Sequence, residues 1–172
     1  MKALRAISVL LVLGLFALPA QASEIAGREE IRWYFKKNSE HKQPKLEGKL
    51  NIIKKYNGIY IDANYGDDCN EKKLYLTFDF GYENGNVEKI ADVLKENNVK
   101  GTFFILENPV IRNTELIKRL ACDGNLICNH TAKHKDMSKV AVKEEFAREL
   151  NKLEDIYRQY TGFELAKYYR PP

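Results

Sequence analysis

Three groups of polar residues stand where an apolar, β-forming stretch of chain has just ended. Asp79 closes Leu74-Tyr75-Leu76-Thr77-Phe78-Asp79, His130 and His134 follow Leu126-Ile127-Cys128, and Arg170 opens Arg170-Pro171-Pro172. A carboxylate set into a buried run is costly unless it is paired or ligated, so Asp79 is read either as a base or as the cap of the next turn. Two imidazoles at i and i+4 on a helical turn converge on one divalent ion, and neutral nitrogen suits zinc or a neighbouring first-row metal. The plain alternatives are two solvated histidines and an arginine that merely begins a rigid loop. Asp, paired His and Arg at the same end of successive strands point instead to one site, since α/β folds place ligands at the carboxyl ends of their strands.

The elements that must position these groups follow from hydrophobic periodicity. Leu74 to Asp79 reads as a first strand buried on both faces. Val87, Ile90, Ala91 and Leu94 recur at helical spacing up to the Asn97-Asn98 stop, and Lys100 to Leu106 forms a second strand. Asn113 is placed to cap a helix carrying Leu116, Ile117, Leu120 and Ala121, with Gly124 as its stop. Leu126 to Cys128 is a short third strand. A long helix then sets Val142, Phe146, Leu150, Leu153, Tyr157 and Tyr160 on one stripe before Gly162, with Lys143, Glu144, Arg148, Lys152 and Glu154 facing water. Lys167 to Arg170 starts a fourth strand. Alternating strands and helices predict an α/β fold with a parallel sheet and right-handed crossovers; periodicity leaves open whether the sheet closes into a barrel.

The rest of the chain narrows the classes. With 172 residues, 44% of them hydrophobic and 30% charged, it is neither collagen-like, coiled-coil nor wholly disordered. Residues 1–22 read as a signal peptide: Lys2 and Arg5 precede the apolar run Ala6 to Leu18, and Ala20-Gln21-Ala22 supplies small residues for cleavage before Ser23. That run is short of the roughly 20 residues a spanning helix needs, so no stable membrane insertion is expected after cleavage. Removing Lys2 and Arg5 halves the formal charge of +4, and no concentrated basic face remains to bind nucleic acid. Residues 23–71 are polar, with Trp33-Tyr34-Phe35 and Ile59-Tyr60-Ile61 as apolar islands, and read as an irregular lead-in packing onto a main domain at 72–172. Cys69, Cys122 and Cys128 are odd in number and lack zinc-knuckle spacing, and read as buried or free thiols.

Thr77-Phe78-Asp79-Phe80-Gly81, Lys100-Gly101-Thr102-Phe103-Phe104, Asn129-His130-Thr131-Ala132-Lys133-His134 and Arg170-Pro171-Pro172 together resemble the polysaccharide deacetylases of carbohydrate esterase family four, the NodB homology domain. Within that family, Tyr75 to Asp79 with Gly81-Tyr82-Glu83-Asn84-Gly85 looks like the delta-lactam-biosynthetic de-N-acetylases. The resemblance runs from about Trp33 to the last residue. It implies a distorted (β/α) barrel of which about the first four strands are present. It also implies an exported hydrolase that removes acetyl from N-acetylmuramic acid in peptidoglycan glycan strands of the cell wall, leading to the muramic delta-lactam of spore cortex. Carried over residue by residue, it makes His130 and His134 metal ligands for zinc or a similar divalent first-row ion. It makes Asp79 the general base and Arg170 the residue that steadies it. No further cofactor-binding residues are implied. A chitin or N-acetylglucosamine deacetylase is the alternative enzyme, and a non-catalytic glycan-binding remnant the alternative without catalysis.

Two departures from the family pattern stand out. Its second motif Asp, a metal ligand, corresponds to Phe80, and a phenyl ring cannot coordinate a metal. Two histidines plus water should hold an ion more weakly than three protein ligands. The later motifs, including the leucine-x-histidine whose imidazole serves as general acid, have no counterpart before Pro172. Without that donor, amine expulsion should lose roughly 10²–10⁴ in rate. The chain is therefore expected to be a fragment: an unclosed barrel with exposed edges, since (β/α) barrels run to about 250 residues. Trp33, Tyr82, Tyr168 and Tyr169 are possible sugar-stacking rings, though packing is the more ordinary role for each. Glu83 is either a substrate contact or a turn residue.

Overall fold

The computed structural model describes residues 31, 34, 35, 37–140 and 142–172. The expected signal peptide and Trp33 lie outside them. Four strands, β1 (Thr77–Phe80), β2 (Thr102–Ile105), β3 (Leu126–Asn129) and β4 (Ala166–Tyr169), form one parallel sheet in the order β1-β2-β3-β4. Between them lie α1 (Asn86–Glu96), α2 (Glu107–Arg112), α3 (Thr114–Cys122) and α4 (Lys143–Thr161). The expected α/β architecture with parallel strands is thus the observed one, with β1 and β4 as the outer strands.

Strand alternation divides the labour between the two faces of this sheet. Phe78, Phe80, Phe103, Ile105 and Ile127 join Ala91, Leu94, Ile117, Leu120, Leu153 and Tyr157 from the helices in one hydrophobic core. Phe78 and Phe103 stack with centroids 4.8 Å apart. Asp79, Phe104 and Cys128 are register partners on successive strands, and their alternation sends them to the opposite face. The core therefore fixes the backbone from one side while the other side is left for chemistry.

Several local expectations change. Pairing begins at Thr77, and Leu74 and Tyr75 are 85% and 63% exposed, so the first strand is shorter than its β-forming run and not buried on both faces. Asn113 occupies the position before α3, but its side chain makes no capping bond. An additional helix, α2, follows β2; its Pro109 sits in the first turn, where the missing N–H breaks no helical bond. On α4, Leu153 and Tyr157 are buried as expected, but Val142 precedes the helix and is exposed, as is Tyr160. Glu149 and Thr161 are buried in their place. Gly162, at φ +79°, ends α4 in the left-handed conformation that glycine adopts at no steric cost.

The segment before β1 is irregular, with 3-10 turns at Gly48–Tyr56 and Ala63–Tyr65 that bury no residue. The Tyr60 hydroxyl donates to the Tyr34 carbonyl at 2.6 Å, and the Tyr75 hydroxyl reaches the Asp62 carboxylate at 2.6 Å. Cys69, Cys122 and Cys128 are unbridged.

At Gly101, just before β2, a Cβ would stand 2.8 Å from a Phe78 ring carbon and 3.3 Å from Leu94. Two packed core side chains would have to move. Gly101→Ala should therefore lower unfolding free energy by about 1–3 kcal/mol, measurable as a lower denaturant midpoint at unchanged slope; an unshifted midpoint would show that the rings yield freely.

Candidate active site

Each strand sends one group to the carboxyl end of the sheet: Asp79 from β1, Phe104 from β2, His130 immediately after β3 and Arg170 immediately after β4. Arg170 ties them together. Its Nη1 donates to the Asp79 carboxylate at 2.8 Å, its guanidinium lies 4.0 Å from the Phe104 ring centre, and its backbone N–H donates to the Asn129 carbonyl at 3.0 Å. Its own carbonyl oxygen lies 2.9 Å from His130 Nδ1. The register of β4 against β3 shifts between Cys128 and Asn129, and that irregularity brings Arg170 level with His130. The guanidinium side chain is only 16% exposed against 49% for Asp79, so the carboxylate faces solvent while its partner is packed.

A carbonyl oxygen can only accept, so the contact with Arg170 places the proton of neutral His130 on Nδ1 and leaves Nε2 with a lone pair. Burial works in the same direction: His130 is 4% exposed and its pKa is pulled below the usual histidine value, chiefly by desolvation. The bond to Arg170 and the nearby Asp79 oppose that shift without overcoming it. His134 is exposed, and its ring lies edge-on to that of His130 with centroids 5.1 Å apart.

The two histidines do not share a helical turn, contrary to expectation. His130 to His134 is a loop in which Thr131 (φ 72°) and His134 (φ 56°) adopt the left-handed conformation. Each costs about 1–2 kcal/mol in an L-residue, and bonds from neighbouring side chains hold it. The Asn129 carboxamide oxygen accepts from the Thr131 N–H at 2.8 Å, and the Thr131 hydroxyl accepts from the His134 N–H at 3.0 Å. The Asn129 amide also donates to the Leu150 carbonyl of α4 at 3.0 Å, anchoring the loop to the helix layer.

Two buried carboxylates that sequence reasoning passes over stand beside this loop. Glu107, at the start of α2, pairs with Lys133 and, at 2.9 Å, with Lys152 of α4. Glu149 pairs with Lys135 at 2.6 Å. Burial works to raise the Glu107 carboxyl, yet Lys133 and Lys152 outweigh it and hold the group below the usual glutamate value. The reasoning that marks Asp79, an acid closing an apolar strand, applies equally to Glu107 after Phe103-Phe104-Ile105-Leu106.

The candidate metal ligands are the two imidazoles of His130 and His134. Phe80 is 2% exposed, a core residue one step along the pleat from Asp79, and no carboxylate occupies that place. Among the described residues no cluster of three or more His, Cys, Asp or Glu is placed to hold an ion. Cys128 is no substitute: burial pushes its thiol up to about 11, against the opposing pull of Arg170. His130, with Nε2 free for coordination, and exposed His134 fit two positions of a first-row cation and leave the remainder open. Glu83 is a turn residue, its carboxylate accepting from the Gly85 N–H. Tyr82 and Tyr168 are exposed, whereas Tyr169 packs its ring edge-on against Phe146 at 5.7 Å.

Comparison with known proteins agrees with this geometry. Among curated proteins, the chain is 36% identical to the peptidoglycan-N-acetylmuramic acid deacetylase PdaA of Bacillus subtilis over 92% of its own length and 58% of that protein's. It is 37% identical to a peptidoglycan-N-acetylglucosamine deacetylase of Bacillus cereus over 60% of its length and 37% of that protein's. The structure of B. subtilis PdaA, a family 4 carbohydrate esterase, superposes with a TM-score of 0.75 at 37% identity, covering 84% of this chain and 60% of that one. A family 4 carbohydrate esterase of Bacillus anthracis superposes with a TM-score of 0.64 at 36% identity, covering 77% of this chain and 61% of that one. The chain thus spans about three fifths of the length of the curated relatives it matches along most of its own length. Among the described residues no helix is long and apolar enough to cross a membrane. Residues 66–172 match the polysaccharide deacetylase family, and with that match and the PdaA likeness the chain belongs to it.

Proposed function

We propose that the protein is an exported peptidoglycan N-deacetylase that removes acetyl from N-acetylmuramic acid in glycan strands. The observation that carries this reading is the double hold of Arg170, which binds the Asp79 carboxylate at 2.8 Å and the His130 Nδ1 at 2.9 Å. A base and an imidazole from different strands are thereby oriented toward one space. The 36% identity with a muramic acid deacetylase over nearly the whole chain supports the choice of sugar.

An amide is a poor electrophile; His130 and His134 are the residues that would hold a divalent cation, which when bound would supply Lewis acidity to the acetyl carbonyl. Asp79 takes the proton of the attacking water, with Arg170 holding the carboxylate in place. The Nδ1–H of His130 stays on the Arg170 carbonyl throughout, which keeps Nε2 directed away from the strand. Cleavage of the C–N bond then releases acetate, and the proton taken up by Asp79 passes to the departing nitrogen, leaving a free amine on the sugar. If the peptide has already been removed from the lactyl group, that amine can close onto the lactyl carboxylate as a delta-lactam, the product that would place the enzyme in spore cortex. N-acetylglucosamine is the second reading, favoured by the B. cereus relative.

Acetate release from peptide-free glycan strands tests the reading. Release should stop with a chelator and return with zinc. Mass spectrometry of the digested strands should locate on muramic residues the new amine, or the lactam that forms from it with loss of one water. No release from any glycan, or release indifferent to chelator, would refute the proposal; free amines confined to glucosamine would select the second sugar.

A further inference from the structure

We propose that Glu107 is a positioning residue for the metal-binding loop, holding the backbone between His130 and His134 through Lys133. The inference rests on the deacetylase reading for its purpose, and on the loop's geometry alone for its substance.

Glu107 grips the loop twice. Its backbone N–H donates to the Ala132 carbonyl at 3.2 Å, and its carboxylate pairs with the Lys133 ammonium. Both contacts fall between the two histidines, on a loop with two L-residues in the left-handed region. Such a conformation persists only where surrounding bonds over-determine it. Asn129 and Thr131 secure the beginning of the loop, and Lys135 on Glu149 secures the far side of His134. Between them, Lys133 projects 55% exposed from a short loop and meets the buried Glu107 carboxylate.

The carboxylate is built for this task. It is 6% exposed, so its interactions are little screened by water, and Lys152 from α4 approaches its second oxygen. One ammonium would balance the charge; the second, 2.9 Å from the other oxygen, adds a charge contact that ties the carboxylate to α4. Glu107 thereby links α2, α4 and the histidine loop, and sets the spacing of two imidazoles that come from a segment with no helical scaffold of its own. Groups behind metal ligands commonly change metal affinity by about 10–100-fold when removed.

The test uses hydrogen exchange and metal binding together. In Glu107→Gln and Lys133→Met, the His134 amide should exchange at least tenfold faster than in the wild type, while Lys133→Arg should retain protection. Titration with Co²⁺ alone, followed by its visible absorption, should show affinity falling about tenfold in the first two variants and surviving in the third. Leu120→Ala, a core truncation on α3, should lower the denaturation midpoint yet leave His134 exchange and Co²⁺ affinity unchanged. Unaltered exchange in both Glu107→Gln and Lys133→Met, or an equal effect of Leu120→Ala, would overturn the proposal. A wild type that fails to bind Co²⁺ while Glu107→Gln still loosens His134 would uphold the anchor and count against the metal-dependent deacetylase reading.

Discussion

Asp79→Asn should lower the rate of acetate release by roughly 10²–10⁴ while leaving the thermal midpoint unchanged. The substitution is close to isosteric, and the carboxamide oxygen can still accept from Arg170 Nη1, which lies 2.8 Å from the native carboxylate. Asp79 is half exposed and lies on the face of β1 away from the core, so its charge does little for the fold. What disappears is the ability to take a proton from water. The loss should therefore appear in kcat, with KM little changed, because a carboxamide of the same shape leaves the glycan contacts intact. Arg170 would face a neutral partner while remaining stacked on Phe104 at 4.0 Å, so the site should stay assembled. Steady-state kinetics with a melting curve on the same preparation decides the matter. Undiminished release would move the base elsewhere, and a parallel collapse of the melting temperature would make Asp79 a structural residue.

Three groups of this site are legible in the chain because of where they stand along it. Asp79, His130 and Arg170 each lie at the end of a β-forming run, and a parallel sheet brings such ends to one edge. Topology sends them to the same end, whereas the register shift that sets Arg170 level with His130 is not legible in the chain. The conformation of the histidine loop is not legible in the same way, because the i, i+4 spacing satisfies a helical turn and the irregular loop equally well. Only the positive φ of Thr131 and His134 separates the two, and no residue type at those positions announces it.

Glu107 and α2 escape a reading of the chain for a related reason. Leu106-Glu107-Asn108-Pro109 looks like the end of a strand followed by a turn, and a six-residue helix leaves no periodic stripe to detect. The partners of Glu107 are lysines on a loop and on the water-facing side of a helix, where solvated ammonium groups are the rule. Long-range pairing of that kind is a property of packing, and one chain read in isolation does not reveal it. Glu149 illustrates the same limit from the other side: a charged residue within an amphipathic helix can be buried once Lys135 neutralises it.

Position 80 is where alignment and packing lead to different expectations. As a motif position it is a missing metal ligand, and Phe80→Asp would be expected to restore a third donor and tighten zinc binding. As a structural position it is a core residue, 2% exposed and enclosed with Phe103, Ile105 and Ala91 in the hydrophobic cluster. Removing a buried phenylalanine ring costs about 3–5 kcal/mol before any charge is considered, and an unpaired carboxylate in its place adds a desolvation penalty. Domains of this kind have only about 5–15 kcal/mol in total. Phe80→Asp is therefore expected to unfold a large fraction of the protein at moderate denaturant, with no gain in zinc affinity for the part that remains folded. Phe80→Leu, which keeps most of the apolar volume, should retain most of the stability. Denaturant titrations of the three proteins, each with and without zinc, provide the check. A Phe80→Asp variant that keeps the wild-type midpoint and binds zinc more tightly would show that residue 80 can turn from the core to the site. If instead the variant unfolds as expected, Phe80 commits the end of β1 to the core, and any metal held here would have to rely on the two imidazoles, whose spacing the proposed Glu107 anchor would set.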